Sequence, residues 1–473
     1  MKVNWTEKKE LQKNTLILGI GKLLPKLVSF ITLPIITAKL TKAEYGTYDF
    51  ILTLVTFLLP IATLQIQSAA FRFLIDYRDD VSAKKRIITN ICMITFPISI
   101  AFSIGLLFFW SDLSALTRVF ISLYFIADIS FITFSQISRG LSFNKDYSIS
   151  SIILSIINAG GIVFALNFNN YGITGLILAM VIANFVAVLY LIIKNHLFSY
   201  FIFKEISFEQ MKELVKYSWP MIPNNLSGWV LNLSDRLVIT NVLGAAMNGV
   251  YAVANKIPNI LSIAQNIFVM AWQENASISV KDKNVDKYYS EMLNNVLNVM
   301  MSITALLIGC TPLIFRILIR GDYADAYYQM PILILGMFFN CMSSFLGGIY
   351  IAHKKTVNLG VSTFLAAVLN LMIDVVFINM IGITAGSLST LVSYLVLYIY
   401  RLIDVKKFQK IHYNLKKQAG YILFIIGMLL LNALNNLYTN ILNFLLGGVL
   451  FIIFNKKLID KYLKKFLKKE DNV

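Results

Sequence analysis

Four basic side chains are embedded in runs otherwise apolar enough to cross a bilayer: Lys22 and Lys26 in the first run, Arg236 in the seventh and Lys256 in the eighth. A cation near the bilayer centre costs about 2.5–3.5 kcal/mol on insertion scales, so four unrelieved ones cost on the order of 10 kcal/mol. A chain tolerates that only where the charges face water or an anion. The chemistry indicated is capture of an anionic substrate in a polar cavity, with ammonium and guanidinium groups as counter-charge.

The spacing around these cations supports a polar lining. Lys22, Lys26 and Ser29 share one helical face, and Pro25 and Pro34 favour a bent helix. In the seventh run Asn225, Gly228, Asn232 and Asp235 share a face with Arg236 beside it. In the eighth, Asn255, Asn259, Ser262, Asn266 and Gln273 form a stripe flanked by Lys256. Lipid gives amides no partner, so these three helices are expected to line one water-filled space between two halves of the chain. Plainer readings stand beside this one. Asp235 and Arg236 read equally as a self-neutralising packing pair, and Lys256, near a span end, could snorkel to the headgroups. Lys26 is harder to relieve, lying about 17 Å into its span at 1.5 Å per residue. Asp128 and Asp374 are acids in the fourth and eleventh runs. Each is a candidate proton or sodium coupling group, or a counter-charge for a lysine.

The elements that must position these residues follow from composition. The chain is 57% hydrophobic and 14% charged, with apolar runs of the roughly 20-residue length that spans hydrocarbon. The expected class is an all-α polytopic membrane protein of about 14 transmembrane helices, the second near 47–70, the seventh near 217–240 and the eighth near 247–273. The first run is too long and too charged for a cleaved signal peptide and is expected to remain as a span. With both termini cytoplasmic, 33 of the 42 Lys/Arg fall on that side, five outside (Lys39, Lys42, Arg118, Arg316, Arg320) and four within spans. That bias is the positive-inside pattern, so the net charge of +17 reports topology and anionic lipid contact, and no nucleic-acid partner is expected. Cys92, Cys310 and Cys341 lie in spans without metal or redox spacing, and His196, His353 and His412 lie in connections. No metal or histidine-based site is expected within the membrane.

A weak internal repeat organises the chain. Sliding residues 13–51 onto 216–254 aligns Lys13 with Lys216, Ile36-Thr37 with Ile239-Thr240, Leu40 with Leu243, Gly46 with Gly249 and Tyr48 with Tyr251. Gly172-Ile173-Thr174 matches Gly382-Ile383-Thr384 at a shift of 210. Six spans per repeat is an even number, so the halves run the same way and form a parallel repeat. The expected organisation is a six-helix lobe over 1–193, a cytoplasmic amphipathic linker over 194–216 and a second six-helix lobe over 217–403. Two further spans occupy 404–455, before a basic tail over 456–473. In the linker, Phe208, Met211 and Val215 oppose Glu209, Lys212, Glu213 and Lys216, the pattern of a helix on the membrane surface or of an ordinary linker.

The stretch Lys13–Phe50, with Gly19, Pro34 and the phrase Leu40-Thr41-x-x-Glu44-Tyr45-Gly46-x-Tyr48, resembles the opening of bacterial polysaccharide flippases. These belong to the multidrug, oligosaccharidyl-lipid and polysaccharide exporter (MOP) superfamily. Tyr171-Gly172-Ile173-x-Gly175, the span count and the repeat also fit, so the resemblance covers essentially the whole chain. It implies two lobes around a cavity opening alternately to either side of the bacterial cytoplasmic membrane, and a cargo of oligosaccharide on undecaprenyl pyrophosphate. Glycan polymerase and glycosyltransferases are candidate partners, and no cofactor beyond a coupling H+ or Na+ is implied. Related peptidoglycan-precursor flippases similarly carry basic residues in the first and eighth spans, matched here by Lys22, Lys26 and Lys256. Drug exporters of the superfamily use a first-span acid, which this chain lacks. A drug or cation exporter and a membrane enzyme of glycan assembly stay open as alternatives.

Overall fold

The structure, a computed structural model, describes residues 28–77, 79–168 and 171–470. Among the described residues the regular structure is helical, without strands. Lys22 and Lys26 lie outside them.

The chain forms two compact units, one ending at Trp229 and the other beginning at Val230. The first contains α1 (Val28–Lys39), α2 (Lys42–Ala62), α3 (Ile66–Asp76), α4 (Val81–Phe109), α5 (Ala115–Gly140), α6 (Asn144–Asn167), α7 (Gly172–Lys194) and α8 (Phe208–Ser218). The boundary falls inside α9 (Met221–Leu243). The second unit continues with α10 (Ala245–Ala254), α11 (Pro258–Ser279), α12 (Val285–Leu318), α13 (Ala324–Ala352), α14 (Thr356–Ile381), α15 (Thr384–Val405), α16 (Leu415–Leu434) and α17 (Leu437–Glu470). Ten of the described helices are long and apolar enough to cross a membrane, and α1, α10 and part of α16 are shorter apolar helices. Each unit repeats the same partnerships. α4 packs on α5, α5 on α7 and α6 on α7, as α12 packs on α13, α13 on α15 and α14 on α15.

Local chemistry explains where these helices begin. Thr41 caps α2 by accepting from the Glu44 amide, and the Glu44 carboxylate returns to the Thr41 amide at 2.9 Å, a complete capping box. Tyr45 and Tyr48, on the next turn, are buried. Gly172 (φ +53°) opens α7, and a Cβ there would sit 3.3 Å from Glu44 Oε1. The two sequence phrases thus meet at one corner of the first unit. Its repeat counterpart Gly382 also takes positive φ, +59°, which a residue with a Cβ adopts only with strain.

Two of the expected spans are broken. The second divides between α2 and α3 at Thr63–Gln65, where Leu64 and Gln65 are left-handed (φ 49° and 56°). Local bonds relieve the break: the Gln65 amide donates to Thr63 Oγ1 at 3.2 Å and Gln67 Nε2 to Gln65 Oε1 at 3.1 Å. The eighth divides between α10 and α11, because Pro258 has no amide hydrogen to continue a helix. Lys256 lies in that break.

The linker is bound to the first unit. Asn90, fully buried, donates to the Glu205 carbonyl at 2.9 Å and accepts from the Ser207 amide at 2.9 Å, while the Ile202 amide donates to Thr89 Oγ1 at 3.0 Å. Met211, Leu214 and Val215 of α8 pack into a cluster with Ile66, Ala70 and Ile88, whereas Phe208 stays exposed. The apolar side of α8 is therefore spent on protein, and Phe208 parts from the face it was expected to share with Met211 and Val215. At the other end of the chain, α17 lies against α12 so closely that a Cβ on Gly309 would come within 2.5 Å of the Asn443 carbonyl. Such small-residue contacts are how helices associate in lipid, where apolar burial gives no driving force.

Candidate functional site

The most concentrated polar chemistry of the second unit is built by α9, α10, α14 and α15. Asp235 on α9 is 2% exposed and Asp374 on α14 is 0% exposed. Asp235 Oδ2 accepts from Thr390 Oγ1 on α15 at 2.8 Å and from the Tyr251 hydroxyl on α10. With the Asn370 amide turned so that its nitrogen faces the carboxylate, it donates to Asp235 Oδ1 at 3.0 Å. Tyr251 Oη also lies 3.1 Å from the Gly386 carbonyl. Close by, the Tyr394 hydroxyl donates to Asn232 Oδ1 at 2.6 Å. Asp374 is close enough to Asp235 and Ser389 for their side chains to interact, though neither of its oxygens has a partner at full hydrogen-bonding geometry.

Helical periodicity explains how the site is assembled. Asn370 and Asp374 are four residues apart on α14, and Gly386, Thr390 and Tyr394 recur at four-residue intervals on α15, so each set shares a face. Asp235 is well solvated by donors, whereas Asp374 is a buried carboxylate with weaker ones. Two adjacent carboxylates in a low-dielectric interior call for positive charge nearby: a proton shared between them, a bound cation or the neighbouring Arg236 guanidinium. The oxygen donors at hand are two carboxylates, an amide carbonyl, hydroxyls and a backbone carbonyl. Such hard ligands suit a hard cation or a proton rather than a soft metal. Among the described residues no cluster of three His, Cys, Asp or Glu could ligate a metal ion.

The first unit holds the repeat counterpart with its chemistry removed. The shift of 203 places Thr32 where Asp235 stands and Tyr48 where Tyr251 stands. The shift of 210 replaces Asn370, Asp374 and Thr390 by Gly160, Phe164 and Met180. Tyr48 Oη meets Met180 Sδ at 3.3 Å, and Thr32 Oγ1 returns to its own helix at the Ser29 carbonyl, 3.2 Å away. The same tyrosine-to-helix contact persists, with Phe164 at the position that Asp374 holds in the second unit.

The other sequence-derived residues are placed as follows. Arg236 is buried beside Asp235 in sequence. Lys256, half-buried, sits at the α10–α11 break, after a helix of ten residues or about 15 Å. Asn225 is exposed and donates to its own helix at the Met221 carbonyl, 3.0 Å. Asn232 is bound to Tyr394, Asn259 is exposed on α11 and Asn266 belongs to the same helix. Asp128 is half-buried on α5 near Tyr124, in the first unit and apart from the acidic pair. Tyr251, Asn370 and Thr390 were not singled out in the sequence. The four-residue interval between Asn370 and Asp374 and the matched Tyr48 and Tyr251 were the signals that could have found them.

Helical units with repeated partnerships, broken spans and ten helices long and apolar enough to cross a bilayer define an all-α multi-pass membrane fold. The chain belongs to the polysaccharide biosynthesis protein family, whose model matches residues 11–273, more than half of its length. Among solved structures, it is similar to the lipid II flippase MurJ in its inward closed conformation, with TM-score 0.70 and 15% identity over 95% of this chain and 100% of that one. An inward-facing multidrug resistance MATE family transporter of the MOP superfamily gives TM-score 0.66 and 10% identity over 82% and 95%. A MOP superfamily transporter from Pyrococcus furiosus gives 0.57 and 11% over 84% and 96%. No curated protein matches by sequence.

Proposed function

We propose that the protein is a flippase carrying a polyprenyl-pyrophosphate-linked oligosaccharide across the bacterial cytoplasmic membrane by alternating access, with both termini cytoplasmic. The observation that carries this reading is the pair of cations in the second unit: Arg236 buried within α9 and Lys256 at the break between α10 and α11. With Lys22 and Lys26 of the first span they attract the pyrophosphate, and Asn225, Asn232, Asn259 and Asn266 offer hydrogen bonds to sugar. Membership of a polysaccharide biosynthesis family and a fold shared with a lipid II flippase support a lipid-linked glycan cargo. Glycosyltransferases upstream and a polymerase downstream are the expected partners.

The acidic pair would couple transport to an ion gradient, which supplies the energy. A cation or proton entering at Asp235 and Asp374 neutralises them, and binding energy that differs between two conformations shifts their populations. Asp235 therefore serves coupling rather than substrate contact, with Asp374, and Asp128 is a second candidate for the same role. The test of the substrate reading is single alanine substitution of Lys22, Lys26 and Arg236, followed by measurement of surface glycan. Each is expected to lower export, and full export in all three removes the reading.

A second reading, export of a cationic drug, is favoured by the buried carboxylates and by the fold shared with multidrug transporters. Accumulation of a cationic dye in cells lacking or overproducing the protein separates the two. A flippase leaves dye levels unchanged.

A further inference from the structure

The second unit contains a cavity that the transport reading does not use. It lies where the end of α12, the start of α13 and the turn between α16 and α17 meet, with a volume of about 590 Å³, inside the roughly 300–1,000 Å³ usual for ligand pockets. Pro312, Leu313, Phe315, Ile441 and Phe444 make its apolar floor. Leu313, Ile441 and Phe444 are themselves exposed and belong to helices apolar enough to cross a membrane. The mouth therefore opens toward hydrocarbon rather than water.

Polar groups gather at one end of this cavity, Arg316, Asn435 and Asn440. Arg316 is exposed and has neither an acidic nor a hydrogen-bonding partner among the described residues. Asn440 Nδ2 donates to Asn435 Oδ1 at 3.1 Å, while Asn440 Oδ1 is buried in the lining with no donor. Hydrocarbon walls, an unneutralised guanidinium and an unmatched acceptor together recognise an amphiphile with a phosphodiester and a headgroup hydroxyl. By the charge bias, the end of α12 and its connection to α13 face the exterior and carry two of the five basic residues on that side, Arg316 and Arg320.

We propose that this cavity is the site of a resident anionic glycerophospholipid of the outer leaflet. One acyl chain lies along Leu313 and Phe444, the phosphodiester meets Arg316 and a headgroup hydroxyl donates to Asn440 Oδ1. The site is independent of the flippase reading, since neither cargo nor coupling ion enters it.

The test is native mass spectrometry of the full chain in mild detergent, titrated with phosphatidylglycerol, phosphatidylmethanol (anionic, without a headgroup hydroxyl), phosphatidylcholine or undecaprenyl phosphate. Phosphatidylglycerol is expected to be retained most strongly. Arg316→Gln should weaken its retention about fivefold, the scale of one basic residue meeting an anionic lipid. Arg118→Gln, a change to another exterior cation, should not. Asn440→Leu should erase the preference for phosphatidylglycerol over phosphatidylmethanol. Equal retention by Arg316→Gln and the parent protein overturns the proposal. So does displacement of phosphatidylglycerol by equimolar undecaprenyl phosphate in the parent but not in Arg316→Gln, which would give the cavity to the polyprenyl lipid instead.

Discussion

Asp374 is held in the interior with weaker hydrogen bonding than its neighbour, a second carboxylate that has three donors. On the proposed coupling role, that asymmetry makes Asp374 the group on which an arriving cation or proton acts, and Asp235 the fixed partner. Asp374→Asn keeps the shape and removes the charge, so it should abolish dependence of transport on a cation gradient while the protein remains folded. Thermal unfolding in detergent and gradient-driven uptake measure the two separately. Tyr251→Phe deletes one hydrogen bond to a charged acceptor, worth about 1.5–3 kcal/mol, and should weaken the response to the coupling ion by roughly 10- to 100-fold. Tyr48→Phe in the first unit, where the hydroxyl meets Met180, should change that response less than about twofold.

Between residue and molecule stand the elements, and here the linker is the informative one. Two side chains of α4, Thr89 and Asn90, hold the backbone of residues 202–207. Asn90→Leu leaves buried backbone groups unsatisfied, at about 1–3 kcal/mol each, and should raise amide hydrogen exchange across 202–210 while sparing α12. The start of α2 was legible in the sequence because a capping box is local: Thr41 and Glu44 lie only three positions apart. The breaks were less so. Pro258 announces the one after α10, but Leu64 and Gln65 carry no glycine or proline to mark a left-handed turn. The amphipathic pattern of α8 was visible as periodicity, yet periodicity reports an apolar face without saying whether lipid or protein covers it.

The molecule is a repeat whose halves have diverged in chemistry. Charge bias and apolar runs revealed the membrane class because they are sums over many residues. The Asp235–Asp374 pair stayed hidden because its members are far apart in the chain and belong to different helices, and a span sequence does not reveal which faces meet. Among the described residues the Asp235–Asp374 pair belongs to the second unit, so the proposed coupling places one such pair in each chain, with Asp128 as a separate candidate in the first unit. Introducing a carboxylate by Thr32→Asp should not rescue Asp235→Asn, as Gly160, Phe164 and Met180 offer it no donors; surface glycan should stay at the level of the single variant. The most direct test of the whole is transport in proteoliposomes loaded with a polyprenyl-pyrophosphate-linked oligosaccharide, under an imposed sodium or proton gradient. The expected result is translocation that one gradient accelerates in the parent protein and not in Asp374→Asn. Failure of the parent protein to move the glycan lipid under either gradient would contradict it.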